Sequence, residues 1–337
     1  MKNTLRMYSK FLLRLLSQQC HLERNEILMS DRKILVLLNR SSAIGDLIME
    51  AGFLQLIKSK HQVDLLVKEP LATIFKKDSE LHKVSNNIND FKDNYDLIIY
   101  DEYNSKCIRF KNKYFKNNYY LCLTKNFTSI EFNRMLFNFC RINQALGSPL
   151  SNQELDSTAH AYLPLQQHKL NVDKTVYVIG VGGEDARRTY KNWQLVVEQI
   201  IIKSPDNIVI LAGADNGISD AQSITTYMLI NHNIATTTIT DLNIDWWQNN
   251  TQLYSAVSRL SLIDSAQLIA NADYYIGADG GLMHIAEALC KPGVAIFAYW
   301  TPDIRLSYKT RLQSLYHAND IQQISYQEII TALNKAL

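Results

Sequence analysis

The 337-residue chain predicts an α/β protein built from two doubly wound parallel sheets, and three observations carry that expectation. Short apolar runs of strand length alternate with longer helical stretches, and continuous runs of that kind are what strands buried on both faces look like. The alternation stops in a Pro- and Gln-containing interval near residues 148–170 and then starts afresh. The length also exceeds what one ordinary core holds. The expected layout is an amphipathic extension over 1–30, a first domain over 31–150, a linker over 151–173, a second domain over 174–318 and a closing helix over 319–337.

Composition narrows the class. With 47% hydrophobic and 20% charged residues the chain reads as an ordinary globular protein, neither disordered nor fibrous. No apolar run approaches the roughly 18 residues a membrane span needs. The five cysteines are Cys20, Cys107, Cys122, Cys140 and Cys290. They are scattered without a C-x-x-C pair, which points to reduced thiols in a cytoplasm and away from a disulfide framework or a zinc site. Residues 1–150 hold 23 Lys/Arg against 15 Asp/Glu, and residues 151–337 hold 12 against 18. A basic first half suits an anionic partner or simply keeps the chain soluble.

In the extension, Leu5, Tyr8, Leu12, Leu15 and Leu16 recur at helical spacing with Lys2, Arg6, Lys10 and Arg14 between them. Arg14 interrupts the apolar core and no small-residue cleavage site follows, so a basic amphipathic helix is expected rather than a secretory signal. Two uses are open to it: lying on an anionic membrane surface, or docking on its own protein.

The first domain opens with a buried strand over 34–38, which runs into Asn39-Arg40-Ser41-Ser42 and then Gly45-Asp46 at the start of a helix ending near residue 60. That arrangement puts Ser41, Ser42, Gly45 and Asp46 at the carboxyl end of the first strand, where such sheets bind ligands. Further strands are expected at QVDLLVKE and YDLIIYDEY. The basic, aromatic stretch that follows reads as irregular, a strand with a solvated basic loop; it lacks any RNA-binding signature and could equally form part of an acceptor site. A helix over the SIEFNRMLFNFCRINQALG segment closes the domain with a glycine.

The second domain begins with a strand ending in Gly180-x-Gly182-Gly183, followed by a loop bearing Arg187, Arg188 and Lys191 and a helix from Trp193. Asp185 stands where a dinucleotide fingerprint needs its last glycine, so that fingerprint is absent. The three cations suit a diphosphate, or they form a solvated basic loop. The strand NIVILA ends in Gly213-Ala214-Asp215, whose carboxylate is placed to accept from ribose hydroxyls. The most informative stretch is 261–302, which predicts a helix over 263–271, a strand over 274–277, an Asp279-Gly280-Gly281 turn, a helix over 282–289 and a strand over 294–298. There a carboxylate, an imidazole (His284) and the unpaired amides of a helix start converge on one sheet edge.

SSAIGD, RRTYKNW, ILAGAD and above all IGADGGLMHIAEALCKPGVAIFAYWTP together resemble the bacterial heptosyltransferase family. These inverting glycosyltransferases add ADP-activated heptose to the inner core of lipopolysaccharide. The segments occur in the family's order from about residue 33 to 303, and the last is the most specific. The resemblance implies a GT-B-like fold, two Rossmann-like domains facing one another across a cleft. It also implies Asp46 as general base, with Ser41, Ser42 and Gly45 in an acceptor-side loop. Lys191 with Arg187 or Arg188 would hold the diphosphate, and Asp215 the ribose or base. Asp279, the Gly280 and Gly281 amides and His284 would hold the sugar and its leaving phosphate.

The donor is expected to be ADP-heptose or a related nucleotide sugar, and the acceptor an anionic lipid-linked saccharide at the inner membrane surface, with no nucleic acid involved. No Asp-x-Asp lies near a nucleotide loop, so no metal and no cofactor is expected. The chain departs from the family pattern at Gly280, where the family has threonine, at Ala186-Arg187, where small hydroxyl residues often sit, and at Gln194, where proline is usual. Two other functions fit the same scaffold: a catalytically degenerate sugar-nucleotide or glycan-binding protein, and a sugar-nucleotide epimerase.

Overall fold

A computed structural model describes the chain except at residues 1–7, 10, 11, 14, 39–42, 93, 103, 104, 125–132, 168–173, 243–250 and 337. Ser41 and Ser42 of the expected acceptor-side loop therefore lie outside the described residues. The chain divides into two units, residues 1–164 and residues 165–337.

In the first unit, β1 (Lys33–Leu38), β2 (Gln62–Val67), β3 (Lys83–Ser85), β4 (Leu97–Glu102) and β5 (Tyr120–Thr124) form one sheet in the order β3-β2-β1-β4-β5. Every pairing is parallel. The run Ile34 to Leu38 is buried throughout, as a central strand covered on both faces must be. Because β2 and β4 flank β1, the chain reverses direction across the sheet beside β1, and the β1 exit is its natural ligand crevice.

Three segments differ from the sequence-based expectation. The helix after β1 is α-helical only over Ile44–Glu50 and tightens to 3-10 turns over Ala51–Leu56. There Gly52 lies against the His160 carbonyl, so close that a Cβ would sit 2.2 Å from its oxygen. The basic aromatic stretch holds the expected strand, β5, but its basic part is a helix, Ser105–Tyr114, and not a solvated loop. Its buried side includes Cys107, Ile108 and Lys111, and the lysine stem in that stripe hides the apolar period. Lys111 Nζ donates to Gln19 Oε1 and to the Lys116 carbonyl. In the interval read as a linker, helix Asn152–Thr158 starts with a capping box between Ser151 and Glu154. Past it, Tyr162 donates to Asp78 at 2.6 Å and accepts from Lys58 at 2.6 Å, which fastens this stretch to the first unit.

The second unit holds β6 (Thr175–Gly180), β7 (Asn207–Ala212), β8 (Thr236–Thr238), β9 (Leu253–Ser255), β10 (Tyr274–Ala278), β11 (Gly293–Phe297) and β12 (Leu312–Tyr316). They form a parallel sheet in the order β12-β11-β10-β6-β7-β9-β8. The chain leaves β6 toward β7 on one side and returns on the other to lay down β10, so the switch point lies between β6 and β10. Trp193, Val197, Ile200, Ile276, Ile296 and Ile329 belong to the core that packs helices Trp193–Lys203 and Tyr326–Ala336 onto this sheet. Among the described residues no helix is long and apolar enough to cross a membrane.

Candidate functional site

At the switch point, β6 and β10 run in register, with Gly180 opposite Gly277, so their exit loops leave the same sheet edge side by side. Tyr275 explains both glycines: a Cβ on either would meet its hydroxyl, at 2.5 Å from Gly180 and 2.2 Å from Gly277. The β6 exit turns at Gly182, whose φ of +83° places it in the left-handed region. A Cβ there would lie 2.6 Å from the Gly217 Cα, so glycine also lets the β6 and β7 exits touch.

Asp279 is the centre of the arrangement. Its amide donates to the Ile296 carbonyl at 3.0 Å, which anchors it between β10 and β11. Its side chain is 1% exposed and faces Arg188 at 3.4 Å, His284 Nε2 at 3.6 Å and Arg305 Nε at 3.7 Å. Burial alone would raise this carboxyl, but His284 together with Arg305 and Arg188 holds it below the usual carboxylate range. The buried Asp279 carboxyl is thus held toward its ionised form beside two guanidinium groups.

Gly280 caps helix Gly281–Ala288 in extended conformation, φ −178°, with no side-chain cap, leaving the first-turn amides at this edge. His284, 3% exposed, lies in that turn, and among the described residues its buried Nδ1 has no hydrogen-bond partner. One turn on, Glu287 is 1% exposed, and burial pushes its carboxyl up while its bonds to Ser307 oppose the shift.

The three cations of the β6 loop point to three partners. Arg188 reaches Asp279, Arg187 pairs with Asp185 and lies over the Tyr299 ring at 4.6 Å, and Lys191 pairs with Asp220 at 2.8 Å. Arg187 holds Asp185 at about 2. Asp215, at the exit of β7, is exposed and accepts from the Ser258 hydroxyl. The structure thus brings Arg188, Asp279, Gly280, Gly281 and His284 together and leaves Lys191 and Asp215 engaged elsewhere on the same unit.

In the first unit, Asp46 lies in the first turn of helix Ile44–Glu50, beside the buried Gly45. Arg134 reaches Asp46 at 3.3 Å and Glu50 at 3.0 Å, bridging two carboxylates one helical turn apart. Asp46 is 24% exposed at its side chain, so it meets solvent while Arg134 orients it.

Sequence reasoning missed Arg305, Arg134, Glu287 and the Tyr299-Trp300 pair. Arg305 had one usable signal. The β11 exit loop follows the strand next to β10 in a parallel sheet, so it must open at the same edge as Asp279.

Residues 229–331 match the sequence profile described as glycosyltransferase family 9 (heptosyltransferase). The matched stretch lies wholly within the second unit. That family 9 stretch contains Asp279, Gly280, Gly281, His284 and Arg305; Arg188 and Asp46 lie before it. No curated protein sequence matches the chain.

The solved structure of a family 9 glycosyl transferase from Veillonella parvula superposes with a TM-score of 0.68 at 12% identity, over 93% of this chain and 99% of that one. The E. coli heptosyltransferase WaaC with ADP gives 0.63 at 13%, over 90% and 100%. The E. coli ADP-heptose lps heptosyltransferase II gives 0.60 at 15%, over 90% and 98%. At such identities the likeness speaks for the fold, a GT-B-like pair of parallel α/β units.

Proposed function

We propose that the chain is an inverting glycosyltransferase that moves heptose, or a related sugar, from ADP-heptose to an anionic lipid-linked saccharide of the lipopolysaccharide inner core. What carries the reading is Asp279, inside the family 9 segment, ionised and surrounded by Arg188, His284 and Arg305 at the switch point of the second sheet. A buried edge rich in cations and free amides suits a sugar diphosphate, whose charge grows as the glycosidic bond breaks.

In this reading Asp46 accepts the proton of the acceptor hydroxyl as that oxygen attacks the anomeric carbon from the face opposite the diphosphate. The bond to the diphosphate breaks in the same displacement, and the anomeric configuration inverts. An ordinary carboxylate suffices as base, because the hydroxyl loses its proton late, as oxocarbenium character develops. Arg134 keeps the Asp46 carboxylate aimed. Gly45 and the Ser41-Ser42 loop receive the acceptor, Asp215 meets the ribose or base, and Arg187 and Lys191 line the approach to the diphosphate. Arginine and helix amides neutralise the leaving group, so transfer is expected to persist unchanged in excess chelator, assayed as ADP release from ADP-heptose.

The deciding experiment is transfer by Asp46→Asn. The variant should bind ADP-heptose as the wild type does and lose at least a thousandfold in kcat; an active variant would remove Asp46 from the role of base. A non-catalytic sugar-nucleotide binding protein is the second reading. It is favoured by Gly280, which brings no hydroxyl to the cap of helix Gly281–Ala288. Donor binding without turnover on any core acceptor would select it.

A further inference from the structure

The loop between β6 and helix Trp193–Lys203 carries Arg187, Arg188 and Lys191, and a distant glutamine holds its main chain. The loop's own main-chain bonds are local: the Arg188 and Thr189 amides donate to the Asp185 and Ala186 carbonyls at 2.9 and 3.3 Å. Past that turn the chain straightens, with Thr189 extended at φ −100° and ψ 105°. Gln322, on the 3-10 turn Ile321–Gln323 near the end of the chain, meets it there. Its Nε2 donates to the Thr189 carbonyl at 2.7 Å, and its Oε1 accepts from the Lys191 amide at 3.0 Å. A carbonyl and an amide two residues apart are what a neighbour in a parallel sheet engages, so this side-chain amide stands in for a strand. Among the described residues, no other group outside the loop bonds to its main chain between Gly183 and Lys191.

The loop's side chains have separate anchors. Lys191 reaches Asp220 on helix Ile218–His232, and Arg187 lies over the Tyr299 ring. Tyr299 itself sits at φ +72°, and the Trp300 amide donates across it to the Ala298 carbonyl at 2.8 Å, a γ-turn of the strained, positive-φ kind. Arg187 and Lys191 are long and both 58% exposed at the side chain, so such contacts hold the backbone weakly. Tyr190 is the firm anchor, 1% exposed and edge-on to Trp193 with ring centroids 4.9 Å apart. One buried ring fixes where an extended stretch lies but leaves it free to turn about its own axis, which swings the side chains on either side. The two Gln322 bonds, one before Tyr190 and one after it, remove that freedom. Gln322 is itself fixed, since Ile321 is fully buried in the core and the Gln322 amide donates to Asp320 at 2.9 Å.

We propose that Gln322 is a positioning residue for donor binding: it sets the turn of residues 189–191 and so aims Arg188 at the edge where Asp279 lies. This rests on the nucleotide-sugar reading above. Of the three loop cations, Arg188 is the one that reaches Asp279. A guanidinium meets a phosphate through a planar fork, so turning its backbone loses paired bonds even where the charge stays near. Gln322 lies inside the stretch 229–331 and the loop lies before it, so the matched segment steers a loop outside itself.

The test is calorimetric titration of the full chain with ADP, GDP, UDP and CDP, and with the nucleoside of the diphosphate that binds. Gln322→Met keeps the length of the side chain and removes both bonds. It should weaken the diphosphate about fivefold or more and change the nucleoside less than twofold, whereas general loosening of the unit would weaken both. In an Arg188→Met chain, itself weakened, the same substitution should cost less than twofold, because the side chain that Gln322 aims is gone. Gln322→Ala stands in if Gln322→Met does not fold, and should lose about threefold or more with Arg188 present and less than twofold without it. Unchanged diphosphate affinity in the Gln322 variants, or an undiminished loss in the Arg188→Met chain, overturns the assignment and leaves the donor reading in place. A wild-type chain that binds none of the four diphosphates overturns the donor reading and this assignment with it.

Discussion

Gly280 and Gly277 stand three residues apart and are glycine for different reasons. Gly280 is extended at φ −178°, and a Cβ built on it would meet nothing closer than the Ala278 carbonyl oxygen at 3.7 Å, so the backbone tolerates any residue there. Gly280→Thr should therefore fold normally and gain a cap for helix Gly281–Ala288. Glycine is already a fair cap, so the gain is about a few tenths of a kcal/mol, or roughly 1 °C in Tm. In the proposed nucleotide-sugar reading the added hydroxyl would face the donor, and transfer should rise with it; a variant with unchanged kcat/KM would show that the hydroxyl does not reach the ligand. Gly277→Ala sets a methyl 2.2 Å from the Tyr275 hydroxyl. It should cost about 1–3 kcal/mol, because buried Tyr275 has nowhere to retreat. Thermal melts of the two variants separate a glycine the packing requires from one it does not.

At the scale of elements, the γ-turn after β11 links stability to function. Tyr299→Asn replaces a bulky ring with a residue that accepts positive φ, relieving part of a strain worth about 1–3 kcal/mol. It also removes the surface on which Arg187 rests. Tm should hold or rise by about 2 °C while ADP affinity falls several-fold; a clear loss of Tm would mean the ring contributes more than the strain costs.

The turn before β11 carries a pH dependence. Lys291 is 8% exposed, donates to the Ala272 carbonyl at 2.7 Å, and is pulled by burial down to about 8. Its folded pKa lies below its unfolded one, so between about pH 8 and 10.5 the unfolded chain binds more protons here and stability rises with pH. The contribution is complete above the unfolded value and is lost as pH falls through the folded one. Lys291→Met abolishes this titration. In urea melts its stability relative to wild type should therefore be more favourable at pH 7.5 than at pH 9.5, and a difference that stays constant would contradict the shift.

What the sequence made legible follows from the range of the forces involved. The strands around Asp279 were readable because burial on both faces leaves unbroken apolar runs, and Asp279, Gly281 and His284 because a strand, turn and helix start place them locally. Helix Ser105–Tyr114 was hidden by Lys111, a charged residue in the buried stripe. Arg305 and Arg134 were hidden for another reason. Each meets its carboxylate through tertiary contact, across 26 residues from Asp279 and 88 from Asp46, and no local pattern encodes such a meeting.

For the whole molecule the remaining question is where it works, and the start of the chain bears on it. Residues 8–9, 12–13 and 15–16 are helical. Leu13 packs against the core of the first unit, so this stretch is docked on its own protein along one line. Tyr8, Leu12, Leu15 and Leu16 nevertheless remain 54–76% exposed. Four large apolar residues open to solvent, in a segment that also carries Lys2, Arg6, Lys10 and Arg14, suit an anionic bilayer surface, and we propose that this stretch rests on one. The basic balance of residues 1–150 adds long-range attraction that salt screens. The chain should co-sediment with phosphatidylglycerol-containing vesicles and much less with phosphatidylcholine vesicles, and binding should weaken as salt is raised from 50 to 500 mM. Leu12→Asp with Leu16→Asp should abolish sedimentation while leaving Tm and ADP affinity unchanged, because neither side chain belongs to the core of the unit. Full retention of vesicle binding by that double variant would assign the exposed leucines to a protein contact instead.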